Sequence, residues 1–357
     1  MSCLHGLQRA LITTLGFSLL LLADSLALVP GSTVMATDDP DAAVEVAEDI
    51  SSFTCESGFE DIDSKLGMSL HGVTEFPRGA LAVGYTRRRD SAGFGRRTPA
   101  TLINRGSEWT RVFTGSPGDE DGLMAVATRQ DSDTWAVGWT TIDGQTMPLA
   151  MRWNGGEWKI DRPKPRGSLT SLFTDVTIVG DGSPFAVGYR VTASGKRQPL
   201  VIRKDGPRWR TLPIRIGKRE SISLTGVAPD RRGSTWVVGH GGPAADIGPV
   251  IYLRKDGKWQ RAKVPRLKGE AVLTDVVATT GRDSWAVGYQ RLNGVSKPLV
   301  LRWNGKKWRK AKAPSFSSDD VILTAVNVDP AGGVWVVGAA WNGKRKSHEA
   351  VAAWWDG

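Results

Sequence analysis

The 357-residue chain has few of the residues that stabilise small exported domains or perform common kinds of catalysis. It contains only two cysteines, Cys3 and Cys55, so it cannot have a disulfide framework, and its stability must come from packing. Its four histidines show no spacing to cysteine or aspartate that is typical of a metal site. It has no Gly-x-Ser-x-Gly elbow and no phosphate-binding Walker loop. The sequence therefore predicts no metal, no cofactor and no assigned catalytic residue.

Long apolar runs are scarce as well, and the one run of note lies near the N-terminus. Arg9 precedes an apolar stretch over residues 10–22, and small residues follow around Ala36. This order is typical of a secretory signal peptide, which we predict over residues 1–36 with cleavage after Ala36. The protein is therefore expected to be secreted. The alternative is a retained anchor over residues 10–29, because about 20 apolar residues can span a bilayer.

Charge is distributed unevenly along the chain. Residues 37–64 contain ten acidic residues and no lysine or arginine, although the whole chain has a net charge of +10. We expect an acidic, disordered leader over residues 37–51, followed by a strongly basic body. A basic body attracts polyanions, and it could equally attract its own leader. The other interpretation is that the charge only keeps the surface soluble.

The main feature of the sequence is a repeat of about fifty residues. A Val-Gly pair recurs at a regular spacing at six positions, with its glycine at Gly84, Gly138, Gly188, Gly239, Gly288 and Gly338. A regular period of this length is typical of stacked or radially arranged copies of one unit. We number the six copies as blades 1 to 6 from the N-terminus.

Within each copy, apolar and polar residues alternate with the period of a β-strand. In blade 5 this predicts strands at residues 273–278, 284–289, 298–303 and 307–311. Asn-Gly and Asp-Gly pairs suit the tight turns before the fourth strand, as at Asp256-Gly257 and Asn304-Gly305. Four short antiparallel strands per copy predict an all-β fold, a six-bladed β-propeller over residues 52–357.

Nine tryptophans occupy equivalent positions on the second and fourth strands, which favours packing between blades over chemistry. They are Trp135, Trp236, Trp285 and Trp335 on the second strand, and Trp109, Trp158, Trp209, Trp259 and Trp308 on the fourth. The sixth copy stops before its fourth strand. Counting back from Leu70 by the usual spacing reaches Cys55, so residues 52–59 are predicted to complete blade 6 and close the ring.

Candidate ligand-binding residues follow the Val-Gly pairs, at the end of each second strand. They are Tyr85, Trp139, Tyr189, His240 and Tyr289, with Arg87 and Arg190 beside them. Aromatic rings with polar tips and neighbouring arginines suit stacking on sugars and binding of anions. The alternative is that these side chains extend the packing face of the second strand into the neighbouring blade.

A second candidate site consists of Asp175 and Asp275, at equivalent positions on the first strands of blades 3 and 5. Two carboxylates about 5 to 9.5 Å apart are what glycoside hydrolysis needs. The other copies have glycine or alanine there, so a short side chain on a crowded inner strand is the alternative explanation.

The chain resembles secreted bacterial repeat propellers, loosely those of the kelch or galactose-oxidase type. The resemblance rests on the Trp-Ala-Val-Gly strand and on the segment Pro298–Trp308, and it implies the fold and export only. We interpret the protein as an exported, monomeric, non-enzymatic module that binds a glycan or an anionic cell-surface polymer. The alternatives are a glycoside hydrolase or lyase that uses the channel carboxylates, and a protein-interaction scaffold in the cell envelope. Nucleic acid is not expected as a partner.

Overall fold

The computed structural model describes residues 68–76, 79–89, 95–106, 108–163, 170–242, 247–280, 283–329, 332–344 and 346–356. These residues form six antiparallel sheets arranged in a ring, which confirms the six-bladed β-propeller. Among them there is no helix long and apolar enough to cross a bilayer.

Blades 1 to 3 each have four strands, hydrogen-bonded in sequence order from the first strand to the fourth. The strands of blade 1 are β1 (Met68–Phe76), β2 (Gly79–Arg89), β3 (Gly95–Asn104) and β4 (Trp109–Val112). Those of blade 2 are β5 (Glu120–Gln130), β6 (Asp133–Ile142), β7 (Gln145–Trp153) and β8 (Trp158–Asp161). Those of blade 3 are β9 (Thr170–Ile178), β10 (Pro184–Val191), β11 (Arg197–Asp205) and β12 (Arg208–Thr211).

Blades 4 and 5 repeat this order, and blade 6 has three strands in the described part of the chain. The strands of blade 4 are β13 (Ser221–Pro229), β14 (Thr235–Gly242), β15 (Gly248–Lys255) and β16 (Lys258–Arg261). Those of blade 5 are β17 (Glu270–Thr280), β18 (Asp283–Leu292), β19 (Val295–Trp303) and β20 (Trp308–Lys310). Those of blade 6 are β21 (Val321–Val328), β22 (Gly333–Asn342) and β23 (Ser347–Asp356). The predicted closing strand at residues 52–59 lies outside the described residues.

A bulge in the first strand of each blade explains why the Val-Gly pair repeats. In blade 5 the register of β17 against β18 shifts between Leu273 and Asp275, so that Thr274 is the extra residue. The bulge brings the first strand close to the glycine of the second. A Cβ on Gly288 would overlap the carbonyl oxygen of Val272 and lie 2.9 Å from the Cα of Leu273. Only glycine fits at this position.

The extra residue of the bulge also joins neighbouring blades. In blades 3, 4 and 5 it is a threonine, and its hydroxyl donates to the carbonyl at the bulge of the next blade. The Oγ1 of Thr174 lies 2.9 Å from the Leu224 oxygen, and that of Thr225 lies 2.8 Å from the Leu273 oxygen. A local irregularity therefore supplies bonds that hold the ring together.

The predicted packing role of the repeated tryptophans is confirmed. The second-strand aromatic residue of one blade contacts the outer strands of the next, as in Trp135 with Trp209, whose ring centres are 5.5 Å apart. Trp236 likewise lies 5.2 Å from Trp308, nearly perpendicular to it. Such pairs contribute about 0.5–1.5 kcal/mol each beyond the area they bury. The apolar core is therefore a series of layers between successive blades.

Candidate ligand-binding face and channel carboxylates

The candidate aromatic residues lie where the second strand of each blade ends and the third begins. Tyr85 is paired with Pro99 across β2 and β3, and Tyr189 with Pro199 across β10 and β11. Because side chains alternate along a strand, Tyr85 points to the same side as Leu81, which packs toward blade 2. We call the end of the propeller that carries these residues the loop face. Blades 1 to 5 each contribute one of these residues to this face.

Blades 1 and 2 present the most developed of these clefts. The guanidinium carbon of Arg97 lies 5.6 Å from the ring centre of Tyr85 and 5.5 Å from that of Trp139. The Trp139 indole covers Gly122, where a Cβ would lie 3.0 Å from the ring. Arg96 is fixed next to it by hydrogen bonds to the carbonyls of Gly118, at 2.8 Å, and Asp119. The cleft therefore holds one arginine between two aromatic rings.

His71 forms the inner wall of this cleft. Its ring stacks on Tyr85 with 5.0 Å between centres, and its Nε2 lies 3.3 Å from the hydroxyl of Ser69. Burial lowers the pKa of His71 to about 4. His71 is therefore neutral at physiological pH and acts as a rigid support for Tyr85.

The cleft between blades 3 and 4 brings together three more candidate residues. Arg197 lies over the ring of Tyr189 at 4.7 Å and donates to the Ser223 hydroxyl at 3.4 Å. Burial lowers the pKa of His240, and the positive charge of Arg197 lowers it further, whereas Glu270 opposes the shift. Arg190 donates to the side chain of Gln198 at 3.1 Å. Arg197 therefore connects Tyr189 to the His240 side of the next blade.

The cleft between blades 5 and 6 is more nearly balanced in charge. Arg291 lies 5.6 Å from the ring centre of Tyr289 and 3.5 Å from the carboxylate of Glu270. Burial raises the pKa of Tyr289, and Glu270 raises it further while Arg291 lowers it. In blade 6 the equivalent position is Ala339. An anionic ligand would therefore meet more competition at this cleft than at blade 1.

Arg87 lies directly opposite Arg97 across β2 and β3, and the next backbone pair places Arg88 opposite Arg96. Like charges at directly opposed positions are unfavourable by a few tenths of a kcal/mol to about 1 kcal/mol. Elsewhere on this face some cations have acidic partners, such as Arg261 with Glu220 and Lys297 with Asp319, whereas Arg197 contacts Tyr189 and Ser223. The β2–β3 hairpin thus concentrates positive charge at one end of blade 1.

The two candidate carboxylates bind main-chain groups of their own blade and of the next. Asp175 accepts from the amides of Val176 and Val227, both at 2.7 Å. Asp275 accepts from the amides of Val276 at 2.7 Å and Val326 at 2.9 Å. Each carboxylate therefore connects the bulge of its own blade to the first strand of the following blade.

Between the two carboxylates stands Gly226 of blade 4. A Cβ there would lie 3.0 Å from the Cα of Asp275 and 3.2 Å from its Oδ1. Burial raises the pKa of Asp275 to about 7, against the opposing effect of its two amide donors. Burial also raises the pKa of Asp175 well above its usual range, and the charge of Asp275 raises it further. The pair therefore resists carrying two negative charges at once.

Sequence reasoning named the aromatic residues but did not pair them with the arginines that lie over their rings. Arg97 and Arg197 each come two residues before the third-strand proline that faces the tyrosine, which makes them its diagonal neighbours across the strand pair. That spacing was the available signal. No spacing in the sequence indicates the contact of His71 with Tyr85, because His71 is the extra residue of the bulge in β1. In the described part of the chain no three His, Cys, Asp or Glu side chains are grouped to hold a metal ion.

Comparison with known proteins defines the class of fold. The chain is similar to a protein of unknown function from Dyadobacter fermentans, with a TM-score of 0.57 at 11% identity over 81% of this chain and 95% of that one. A polysaccharide lyase matches with a TM-score of 0.54 at 10% identity, over 81% of this chain and 77% of its own. A Trypanosoma rangeli sialidase in complex with the inhibitor DANA matches with a TM-score of 0.53 at 10% identity over 79% of this chain, and the match spans 54% of the sialidase.

At this identity the likeness shows the propeller fold alone. No protein-family model matches the chain, and no curated protein matches it.

Proposed function

We propose that this protein is an exported, non-enzymatic module that binds a glycan or an anionic cell-surface polymer at its loop face. The observation that carries the proposal is the cleft between blades 1 and 2, where Arg97 lies between the rings of Tyr85 and Trp139. Arg87 faces Arg97 across the hairpin.

The chemistry of the cleft suits an acidic sugar. An aromatic face binds the apolar side of a sugar ring, and a guanidinium binds a carboxylate or sulfate with two hydrogen bonds. Propellers with a similar fold include a sialidase and a polysaccharide lyase, which supports a role with glycans. A ligand that supplies negative charge would also relieve the repulsion between Arg87 and Arg97.

Binding can be tested with heparin and polygalacturonate as anionic probes and dextran as a neutral one. Wild type is expected to bind the anionic probes, and affinity should fall as salt rises. Arg97→Gln should weaken binding about tenfold, the effect of about 1.4 kcal/mol. Arg210→Gln is the matched control, since Arg210 pairs with Asp205 on the outer strand of blade 3. Equal losses in the two variants, or no binding by wild type, would contradict the proposal.

The raised pKa of the channel carboxylates favours a second candidate function. A carboxylic acid that stays protonated near neutral pH is what a glycosidase or lyase uses as its general acid. Turnover of the same polymers, followed by release of reducing or unsaturated ends and abolished by Asp275→Asn, would support this alternative. A third candidate, an interaction scaffold in the cell envelope, would be favoured if a partner protein bound and no polymer did.

A further inference from the structure

The outer side of the propeller carries a groove between blades 1 and 2 that the proposed function does not use. Its volume is about 690 Å³, and its walls come from the outer part of blade 1 and from the turn after β7 of blade 2. Phe113, at the end of β4, is 90% exposed at its border. This groove differs from the loop face in position and in lining.

Blade 1 differs from most other blades beside this groove. Blades 2, 3 and 5 carry Arg152, Arg203 and Arg302 where blade 1 has Ile103 and blade 4 has Leu253, and those arginines pair with aspartates at or just before the start of the second strand. Without that cover, Ile103 and Trp153 line an open space. Trp153 is only 3% exposed, and its indole N–H has no acceptor among the described residues. A buried donor without an acceptor is costly, so this N–H favours a ligand that provides one.

The outer strand of blade 1 differs from those of blades 3 and 4 mainly in the residue that follows it. Aligned on their tryptophans, the segments of blades 1, 3 and 4 read Glu-Trp-Thr-Arg, Arg-Trp-Arg-Thr and Lys-Trp-Gln-Arg, and β4 is followed by the exposed Phe113. Blades 4 and 5 have Lys263 and Lys312 at the position of Phe113. Charged residues, lysine above all, are the usual means of keeping a sheet edge from pairing with another strand. β4 contains one arginine, Arg111, and the exposed Phe113 follows it.

The outer edge of β4 has main-chain groups that point away from β3 and suit pairing with one more strand. The hydroxyl of Thr101 donates to the carbonyl of Val112 at 3.2 Å, so the main-chain groups of Val112 face β3. By alternation, those of Arg111 face outward. A strand added at this edge would direct alternate side chains into the groove, next to Ile103 and Trp153.

From these features we infer that the groove and the edge of β4 bind the acidic leader of the same chain, residues 37–51, as an added strand. The leader contains Val44-Glu45-Val46, in which two apolar side chains two positions apart point to the same side of a strand. Its acidic residues complement Arg111 at the groove, whereas Arg105 already lies 3.7 Å from Asp131 and Glu108 contributes one negative charge to the lining.

The length of chain allows this contact. Sixteen residues, 52–67, separate the leader from Met68, the first residue of β1 in the same blade. From β1 to β4 is three strand spacings, roughly 14 Å, and sixteen extended residues can span about 50 Å. If residues 52–59 instead complete blade 6, the leader starts at the outer strand of the blade next to blade 1, and residues 47–51 can span roughly 17 Å from there.

Hydrogen exchange measured by mass spectrometry on the full chain tests the inference. The amides of residues 109–112 should exchange at least tenfold more slowly than those of residues 209–212, the equivalent edge of blade 3. Replacing Val44 and Val46 by serine should remove the difference. Phe113→Lys should do the same without unfolding, because blades 4 and 5 carry lysine there, and Lys312→Ser is the matched control.

Three results would overturn it. Exchange at residues 109–112 equal to that at 209–212 in wild type would mean that the edge is uncovered. Protection that survives both leader substitutions would mean that another segment covers it. Protection that depends on protein concentration, together with a dimer mass, would make the occupant a second copy of the chain. None of these results depends on whether the loop face binds glycans.

Discussion

Replacing Asp275 by asparagine should change how the stability of the propeller depends on pH. Burial raises the pKa of Asp275 from 3.8 to about 7. The folded state therefore favours the protonated acid, so stability from this group is fully present below pH 3.8 and is lost as pH rises toward 7. Asparagine resembles the protonated acid but does not titrate. The stability of the variant therefore does not change with pH through this position.

The size of the effect follows from the shift. Each pKa unit corresponds to about 1.4 kcal/mol of stability. Asp275 loses its contribution over the pH range from 3.8 to about 7, and about two units of that range lie between pH 5 and pH 7. The free energy of unfolding of wild type, relative to that of Asp275→Asn, should fall by about 3 kcal/mol between pH 5 and pH 8. The lost acceptor for the amide of Val276 or Val326 adds only a constant offset, because amides do not titrate here.

Other titrating groups make the comparison with the variant necessary. Burial raises the pKa of Glu75 to about 7, which weakens wild type in the same direction as pH rises. Burial lowers the pKa of His71 to about 4, so this histidine contributes stability above pH 6.5 that is lost as pH falls toward 4. Both effects cancel in the difference between wild type and variant. The contribution of Asp175 does not cancel, because the charge of Asp275 raises the pKa of Asp175. The difference between wild type and variant therefore reports on both carboxylates.

Urea unfolding followed by tryptophan fluorescence at pH 5, 6, 7 and 8 measures the difference. Asp283→Asn is the control, since this carboxylate pairs with Arg302 at 3.1 Å on the periphery of the same blade. A wild-type advantage that stays constant from pH 5 to pH 8, or that grows with pH, would refute the assignment of a raised pKa.

Two further predictions concern the packing of the ring. Trp236→Ala should lower the free energy of unfolding by about 3–5 kcal/mol in urea titrations, because a side chain that is 2% exposed loses its contacts with Trp303 and Trp308. Trp341 is 37% exposed, so Trp341→Ala should lower it by less than about 1 kcal/mol. If residues 52–59 complete blade 6, Cys55 in a Cys3→Ser chain should react with a maleimide only after unfolding, and native labelling as fast as that of a short peptide would argue against this closure.

The sequence was sufficient to predict the propeller and its blades because the signals involved are local and repeated. Alternation within six residues and an Asp-Gly pair predict a strand and its turn without any knowledge of neighbours, and the turn at Asp256-Gly257 has the positive φ angles expected, +49° and +75°. The tryptophan positions were equally readable, since residues of that size at a fixed position in a repeat have few places to go except between blades.

The parts that escaped prediction depend on the register between strands that are far apart in sequence. The role of Arg97 requires knowing that it lies diagonally across from Tyr85, and that its side chain reaches Trp139 of the next blade. The role of Asp275 requires the position of the Val326 amide, fifty residues away. A composition or spacing argument contains neither fact, so both aspartates could be proposed as catalytic when their oxygens already accept main-chain hydrogen bonds.

The departures from the repeat identify individual functions better than the repeat does. Aspartate at equivalent positions in blades 3 and 5 leaves Gly226 between them in blade 4, where a Cβ would already press on Asp275. A third aspartate there would add both a clash and a third buried charge, so the alternation of aspartate, glycine and aspartate is what steric fit and repulsion together permit. The same reasoning applies to Ile103, which stands where blades 2, 3 and 5 have arginine, to Phe113, which stands where blades 4 and 5 have lysine, and to Arg87, which repeats the charge opposite it. Where one blade lacks a residue that other blades share and still packs in the ring, ligand binding by that blade best explains the difference.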